Sequence, residues 1–354
     1  MTPHSVDMSA VARVLIIKLS SFGDIIHALP VAAALKESFP HIELTWAVEE
    51  AFAPLVAGNP SIDHVLTLPK IRGRQLRSPA FHRDYFLRLR DVRKRKFDLT
   101  LDLQGLTKSA IVAAASGARL RLGYHWMREA ASLFERAVPR DPASVHVVDQ
   151  YLDVARFLGA HTDSPQFAFH VGPDDEAYAE ALLDQAGLCG GPGFVTINPA
   201  TSTRMKEWSA ANFSELIDRL YSELDLRSAL VTADRPVASK VAAHAGAPLA
   251  NFAGKTNLKQ LAAILKRGAV HICSDTGSAH LAAALGVPVI ALVGPTDPDR
   301  ICPYGQRENV IRHSERCGAA CSWHRCNYVK PKCMDSISPK EVAARVGHVF
   351  ATHA

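Results

Sequence analysis

The chain has 354 residues, 48% of them hydrophobic and 21% charged, and a formal net charge of +5; one core rarely serves such a length, so two domains are expected and wholesale disorder is excluded. Its longest apolar runs fall well short of the roughly 18–20 residues that a bilayer-crossing helix needs, which excludes a membrane span. Seven cysteines, an odd number in so long a chain, do not make a secreted disulfide scaffold.

Residues 1–10 show no basic stretch followed by an apolar one, so no leader is read there and a cytoplasmic location is expected. A strand-like run at 14–19 is followed by a helical pattern through 32–37 and by strand-like runs at 43–48, 65–68 and 99–103. Such alternation predicts a parallel sheet with helices on its faces. Between 70 and 96, Lys70, Arg72, Arg74, Arg77, Arg83, Arg88, Arg90, Arg93, Lys94, Arg95 and Lys96 are opposed only by Asp84 and Asp91. A solvated helix face would explain any one of them. The cluster as a whole points to an anionic partner, an acidic glycolipid or an anionic membrane surface. No nucleic-acid partner is expected, since Phe81, Tyr85 and Phe86 make no regular stacking platform.

Turn-forming residues at 161–165, with 172–175 soon after, mark a domain boundary, drawn after residue 165. The pattern then restarts: strands at 194–198, 228–232, 270–274 and 287–293, and helices at 211–223, 236–245, 258–266 and 279–285. Two doubly wound lobes in series would place a ligand crevice between them, at the carboxyl ends of both sheets. Ser338-Pro339-Lys340-Glu341 reads as an N-cap, a first-position Pro and an N3 Glu, which predicts a terminal helix over 339–351.

Three loops at strand ends carry candidate chemistry. Lys18-Leu19-Ser20-Ser21-Phe22-Gly23-Asp24-Ile25-Ile26-His27 lets backbone amides approach a ligand and leaves Asp24 at the crevice mouth; a helix cap is the other reading of Asp24. Pro30 implies that the helix there kinks or starts late. Ser274-Asp275-Thr276-Gly277-Ser278-Ala279-His280 puts the amides of Thr276, Gly277 and Ser278 at a helix N-terminus, a phosphate site. Asp275 would repel a diphosphate unless its carboxylate points elsewhere, so it is read as holding a sugar hydroxyl or orienting the loop. In the third loop, 198–208, hydroxyls and Lys206 would neutralise charge on a leaving diphosphate.

Two strings are set aside. Gly254-Lys255-Thr256 lacks the earlier glycine of a P-loop, where Leu249 stands, and Asp297-Pro298-Asp299 reads as a loop rather than a metal site. Cys317, Cys321, Cys326 and Cys333 fall close together in a basic segment with His313 and His324; such thiolates could hold zinc or iron, or pack as reduced thiols under a loop.

Taken together, VLIIKLSSFGDIIHALP (14–30), LDLQGLTKSA (101–110), Lys206-Glu207-Trp208, SDTGSAH (274–280) and Gly294-Pro295-Thr296-Asp297-Pro298 resemble glycosyltransferase family 9, the lipopolysaccharide heptosyltransferases. Trp46-Ala47-Val48-Glu49-Glu50 and residues 128–134 look most like the members that add the first heptose to Kdo. The resemblance implies an α/β, GT-B architecture: two Rossmann-like doubly wound lobes with an interlobe cleft, acceptor bound by the first, ADP-sugar by the second, and a C-terminal helix that packs back toward the first lobe. It implies an inverting transfer from ADP-heptose to Kdo of an acidic Kdo-lipid A, at the cytoplasmic face of the inner membrane, with no cofactor in the chemistry. Asp24 then matches the catalytic base, and Lys206, Thr201 and Ser202 match positions near the diphosphate. Thr276 and Gly277 match phosphate-binding amides, and Asp275 and His280 sugar-side positions. Ser21, Gly23, Arg72, Arg74, Arg77 and Arg128 fall on the acceptor side.

The sequence departs from the family at Ala233-Asp234-Arg235-Pro236, where a ribose-binding Glu is usual, and in its four cysteines, which resemble other branches that use a second core heptose, another glycan or a protein as acceptor. A glycolipid-binding protein without activity would not need both Asp24 and Lys206.

Overall fold

The computed structural model describes residues 6–71, 73, 77–189, 193–313, 326 and 331–353. They form two compact units, Met1–His170 and Val171–Ala354, so the chain passes from one to the other five residues beyond the expected position. In the first, β1 (Arg13–Ile17) leads into α1 (Phe22–Ser38), β2 (Glu43–Glu49), β3 (His64–Leu68) and α2 (Pro79–Lys94). β4 (Leu99–Asp102), α3 (Thr107–Ser116), β5 (Leu120–Gly123), β6 (Arg136–Ala137) and α4 (Val147–Phe157) complete it. The order β3-β2-β1-β4-β5-β6 is parallel throughout.

The second unit opens with α5 (Pro173–Gln185), β7 (Phe194–Asn198), α6 (Ala210–Leu224), β8 (Arg227–Leu230), α7 (Arg235–Ala242) and β9 (Leu249–Asn251). It continues through α8 (Leu258–Arg267), β10 (Val270–Ser274), α9 (Gly277–Ala284), β11 (Val289–Leu292), β12 (Val310–Ile311), α10 (Lys332–Asp335) and α11 (Pro339–His353). Its parallel order, β12-β11-β10-β7-β8-β9, repeats that of the first unit. In such sheets the strand order reverses at one point, here between β1 and β4 and between β7 and β10, and ligands bind outside the carboxyl ends there. All three loops singled out from the sequence lie at these ends.

Central strands are apolar on both sides because helices cover both faces. Leu15 and Ile17 of β1 share one core with Val92 of α2 and Val112 and Ala113 of α3, while α1 and α4 pack against each other. Helix α1 runs unbroken through Pro30, and every residue from Ile25 to Leu35 is buried; a helix covered on all sides has no amphipathic stripe, which is why the sequence pattern showed only its end. Val342, Ala343, Val346 and Val349 of the C-terminal helix join the core of β7, β10 and β11, and α11 packs on α6. Among the described residues no helix is long and apolar enough to cross a membrane.

Candidate active site

In the first unit the chain leaves β1 at Lys18, whose buried ammonium donates to the Leu103 carbonyl at 2.8 Å and the Tyr151 hydroxyl at 2.7 Å. A buried ammonium is tolerated only when its donors are met, and here they lock the ends of β1 and β4 together. Gln104 Oε1 accepts from the amides of Leu19 and Ser20 at 3.1 and 3.0 Å. The loop that follows reaches α1 with Ser21 at the N-cap, exposed, and Gly23 in the first turn. Asp24, half-buried, accepts from the Ser21 amide and hydroxyl at 3.1 and 2.9 Å through Oδ2. The helix-cap reading of Asp24 is therefore real, and it fixes the carboxylate at the strand end.

Beside it, Lys108 bridges Ser20 Oγ at 2.9 Å and the buried carboxylate of Glu49 at 2.7 Å. Tyr124 stacks at a tilt on Tyr151, with centroids 5.0 Å apart. Burial pushes the Tyr124 hydroxyl upward, helped by Tyr151 and, further down, Asp24, and opposed by Lys18 and Arg128; Asp24 and Arg128 thus both act on Tyr124. Arg128 itself is exposed, its amide donating to the Gly105 carbonyl at 2.9 Å. Gly105 lies at φ +66°, and a Cβ there would sit 2.7 Å from the Trp126 carbonyl, so only glycine lets the Arg128 segment lie this close. Arg77 is exposed just before α2, and Arg72 and Arg74 lie outside the described residues.

Beneath this mouth Asp102 accepts from the amides of Gln104 and Gly105 at 2.7 and 3.0 Å. It faces a second buried carboxyl, Glu135, which is pushed up to about 9 by burial first and then by the charge and hydrogen bond of Asp102. Burial raises Asp102 too. Two buried carboxyls so placed disfavour each other's ionisation.

In the second unit Trp208 pins the third loop: its ring meets Phe213 edge-on at 4.7 Å and its Nε1 donates to the Ile337 carbonyl at 3.0 Å. That anchoring turns Lys206 inward, where its ammonium lies 2.7 Å from Asp275 Oδ2, both side chains 8% exposed. The Thr296 hydroxyl donates to the same oxygen at 2.6 Å, and His280 Nε2 stands 3.9 Å from Oδ1. Asp275 therefore does point elsewhere, into a cationic and hydroxyl pocket of its own.

The turn that follows opens α9, and no side chain caps it at Thr276, the N-cap. Behind it, His271 bridges Thr196 Oγ1 at 2.9 Å and Ser278 Oγ at 3.0 Å, and Ser278 also meets Asn198 Nδ2 at 2.9 Å and Thr276 Oγ1 at 3.0 Å. Burial lowers His271 to about 3, so a neutral ring sets the turn. Thr201 bonds the Thr203 carbonyl at 2.8 Å, and with Ser202, Arg204, Trp208, Val237 and Lys240 it lines a cavity of about 270 Å³. Asp234, in the segment where the sequence departs from the family pattern, caps α7 through the Val237 amide at 3.1 Å.

Lys18, Glu49, Gln104, Lys108 and Thr296 were given no role from the sequence, although all five lie within the very strings that carried the family resemblance. Glu135 and Tyr151 left no such signal. Asp297 accepts from the Asp299 amide and Asp299 pairs with Arg307 at 2.6 Å, a loop as expected. Of the four cysteines, Cys317 and Cys321 lie outside the described residues, Cys326 is half-buried, and Cys333 sits in the apolar core. Among the described residues no group of three or more candidate ligands could hold a metal ion.

An open strand-end carboxylate in one Rossmann-like unit and an uncapped helix N-terminus beside a buried Lys–Asp pair in the other suit a sugar-nucleotide enzyme. Residues 87–329 match glycosyltransferase family 9 (heptosyltransferase), and the chain belongs to that family. It is 32% identical to lipopolysaccharide heptosyltransferase 1 of Salmonella typhimurium over 84% of this chain and 92% of that one. It is 27% identical to the lipopolysaccharide core heptosyltransferase OpsX of Haemophilus influenzae over 84% and 83%. The structure of Escherichia coli heptosyltransferase WaaC with ADP superposes with a TM-score of 0.74 at 23% identity, covering 95% of this chain and 99% of that one. The expected two-lobed GT-B fold is the fold found.

Proposed function

We propose that this glycosyltransferase moves a heptose from ADP-heptose to Kdo of an acidic Kdo-lipid A in the lipopolysaccharide inner core, with inversion. The observation that carries the reading is the Lys206–Asp275 pair at 2.7 Å beside the uncapped N-terminus of α9. The amides of Thr276 and Gly277 hold the diphosphate, since orphan N–H groups and the helix dipole favour an anion. Asp275, its charge balanced by Lys206 and Thr296, adds no net repulsion, and with His280 it faces the sugar. Thr201 and Ser202 line the neighbouring cavity on the nucleotide side.

Asp24, oriented by Ser21, takes the proton from the acceptor hydroxyl as that oxygen bonds to the anomeric carbon; the bond from that carbon to the diphosphate breaks and ADP leaves. Ser21, Gly23, Arg77 and Arg128 serve the acceptor's anionic groups, as do Arg72 and Arg74. The likeness to heptosyltransferase 1 over most of both chains supports the first-heptose assignment, and the basic stretch at 70–96 suits an acceptor held at an anionic membrane surface. In an assay of ADP release, the protein should turn over only when Kdo-lipid A is added, and Asp24→Ala should lose activity by about 100-fold or more with ADP binding kept. Equal turnover by that variant would remove Asp24 from the chemistry; release with an already heptosylated core, but not with Kdo-lipid A, would move the enzyme to a later heptose.

A further inference from the structure

Helices α2 and α3 and the short turn Ala131–Leu133 lie in sequence along one side of the first sheet, each packed on the next. This layer is unusually apolar on its outside. Of nine exposed large hydrophobic side chains among the described residues, six lie between Phe86 and Phe134, and the most exposed are Leu133 at 81% and Phe86 at 61%. Scattered single exposures are ordinary, but a concentration on consecutive elements marks a surface that something covers.

On α2 the two faces are clearly divided. Tyr85, Leu89 and Val92 turn to the core. Phe86 and Leu87 turn outward and share a stripe with Arg83, three and four residues before them, and Arg90, four and three residues after. The helix carries five basic residues against two acidic ones, Asp84 and Asp91, which pair with Arg88 and Lys94. Exposed Arg83, Arg90 and Arg93 have no place in the site described above.

We infer that this layer is a bilayer-docking face, with Phe86, Leu87 and Leu133 entering the headgroup boundary of an anionic membrane and the arginines of α2 meeting its phosphates. An apolar stripe flanked by cations is what an interfacial helix presents. The turn Ala131–Leu133 continues directly from the Arg128 segment, where Glu129 accepts from the Thr107 amide of α3 at 3.0 Å. Docking through this layer thus brings the Asp24 strand end to the membrane surface. The biological use of the face rests on the proposed lipid-linked acceptor; the binding itself does not.

The test is co-sedimentation of the full chain with vesicles of phosphatidylcholine alone or mixed with phosphatidylglycerol. Binding should appear only with the mixed vesicles, fall with added salt, and drop roughly tenfold in Phe86→Ser/Leu133→Ser and in Arg83→Glu/Arg90→Glu, with unfolding midpoints unchanged. Transfer by Phe86→Ser/Leu133→Ser should hold on a detergent-dispersed acceptor and fall on one embedded in vesicles. Equal binding to both vesicle types, undiminished binding by both variants, or self-association that the serine variant abolishes would overturn the proposal. Lipid binding that behaves as stated, with no transfer to any heptosyl acceptor, would instead sink the proposed function and leave the docking face standing.

Discussion

Asp275 shows how a residue's meaning depends on partners that its neighbours in sequence do not reveal. From the sequence it is a carboxylate that would repel a diphosphate unless it points elsewhere; its counter-charge, Lys206, lies 69 residues away along the chain. Both side chains are nearly out of water, so removing one partner strands the other. Lys206→Ala should cost about 3–5 kcal/mol in urea unfolding, and Lys206→Met/Asp275→Leu should recover most of that loss while leaving ADP release undetectable. A double variant as unstable as the single one would show that the pair is not coupled. The sequence could show that both residues follow strand ends; it could not show that they touch, because the pairing of β7 with β10 that joins them is a property of the sheet.

At the scale of elements, the end of β4 and the start of β6 hold the loop after β1 in register. Asp102 fixes the Gln104 and Gly105 amides, and Gln104 fixes Leu19 and Ser20. The raised carboxyl of Glu135 makes this arrangement sensitive to pH. An unfolded Glu titrates near about 4.3, and Glu135 in the fold at about 9, so between these values the native state binds more protons. Stability from this group is therefore full below the lower value and is lost as pH rises toward the upper one. Urea midpoints should decline between pH 6 and 9, and Glu135→Gln, which keeps a donor toward Asp102, should flatten that decline; an unchanged slope would place the titrating group elsewhere. The string 101–110 made this strand end visible in the sequence. Glu135 was not visible, since its neighbour β6 is two exposed residues long and has no alternating pattern to read.

For the molecule as a whole, alternation of strand and helix sufficed to anticipate two doubly wound units, because parallel sheets bury their strands on both faces and write long apolar runs. The edge strands β6 and β12, two residues each, were too short to be read. If donor and acceptor belong to separate units as proposed, ADP alone should slow amide exchange at 201–206 and 276–279 and leave 19–24 unaffected. Protection of 19–24 by ADP would reverse the assignment of the units.

Among the described residues neither sheet borrows a strand from the other half of the chain: β1 to β6 all precede residue 171 and β7 to β12 all follow it. Parallel pairings join segments distant in sequence and are slow to find. Here that search is divided in two. During synthesis the earlier half can close its hydrogen-bonded ladder while the ribosome is still extending the later one, and at no stage must an unpaired edge wait for a strand from the opposite half.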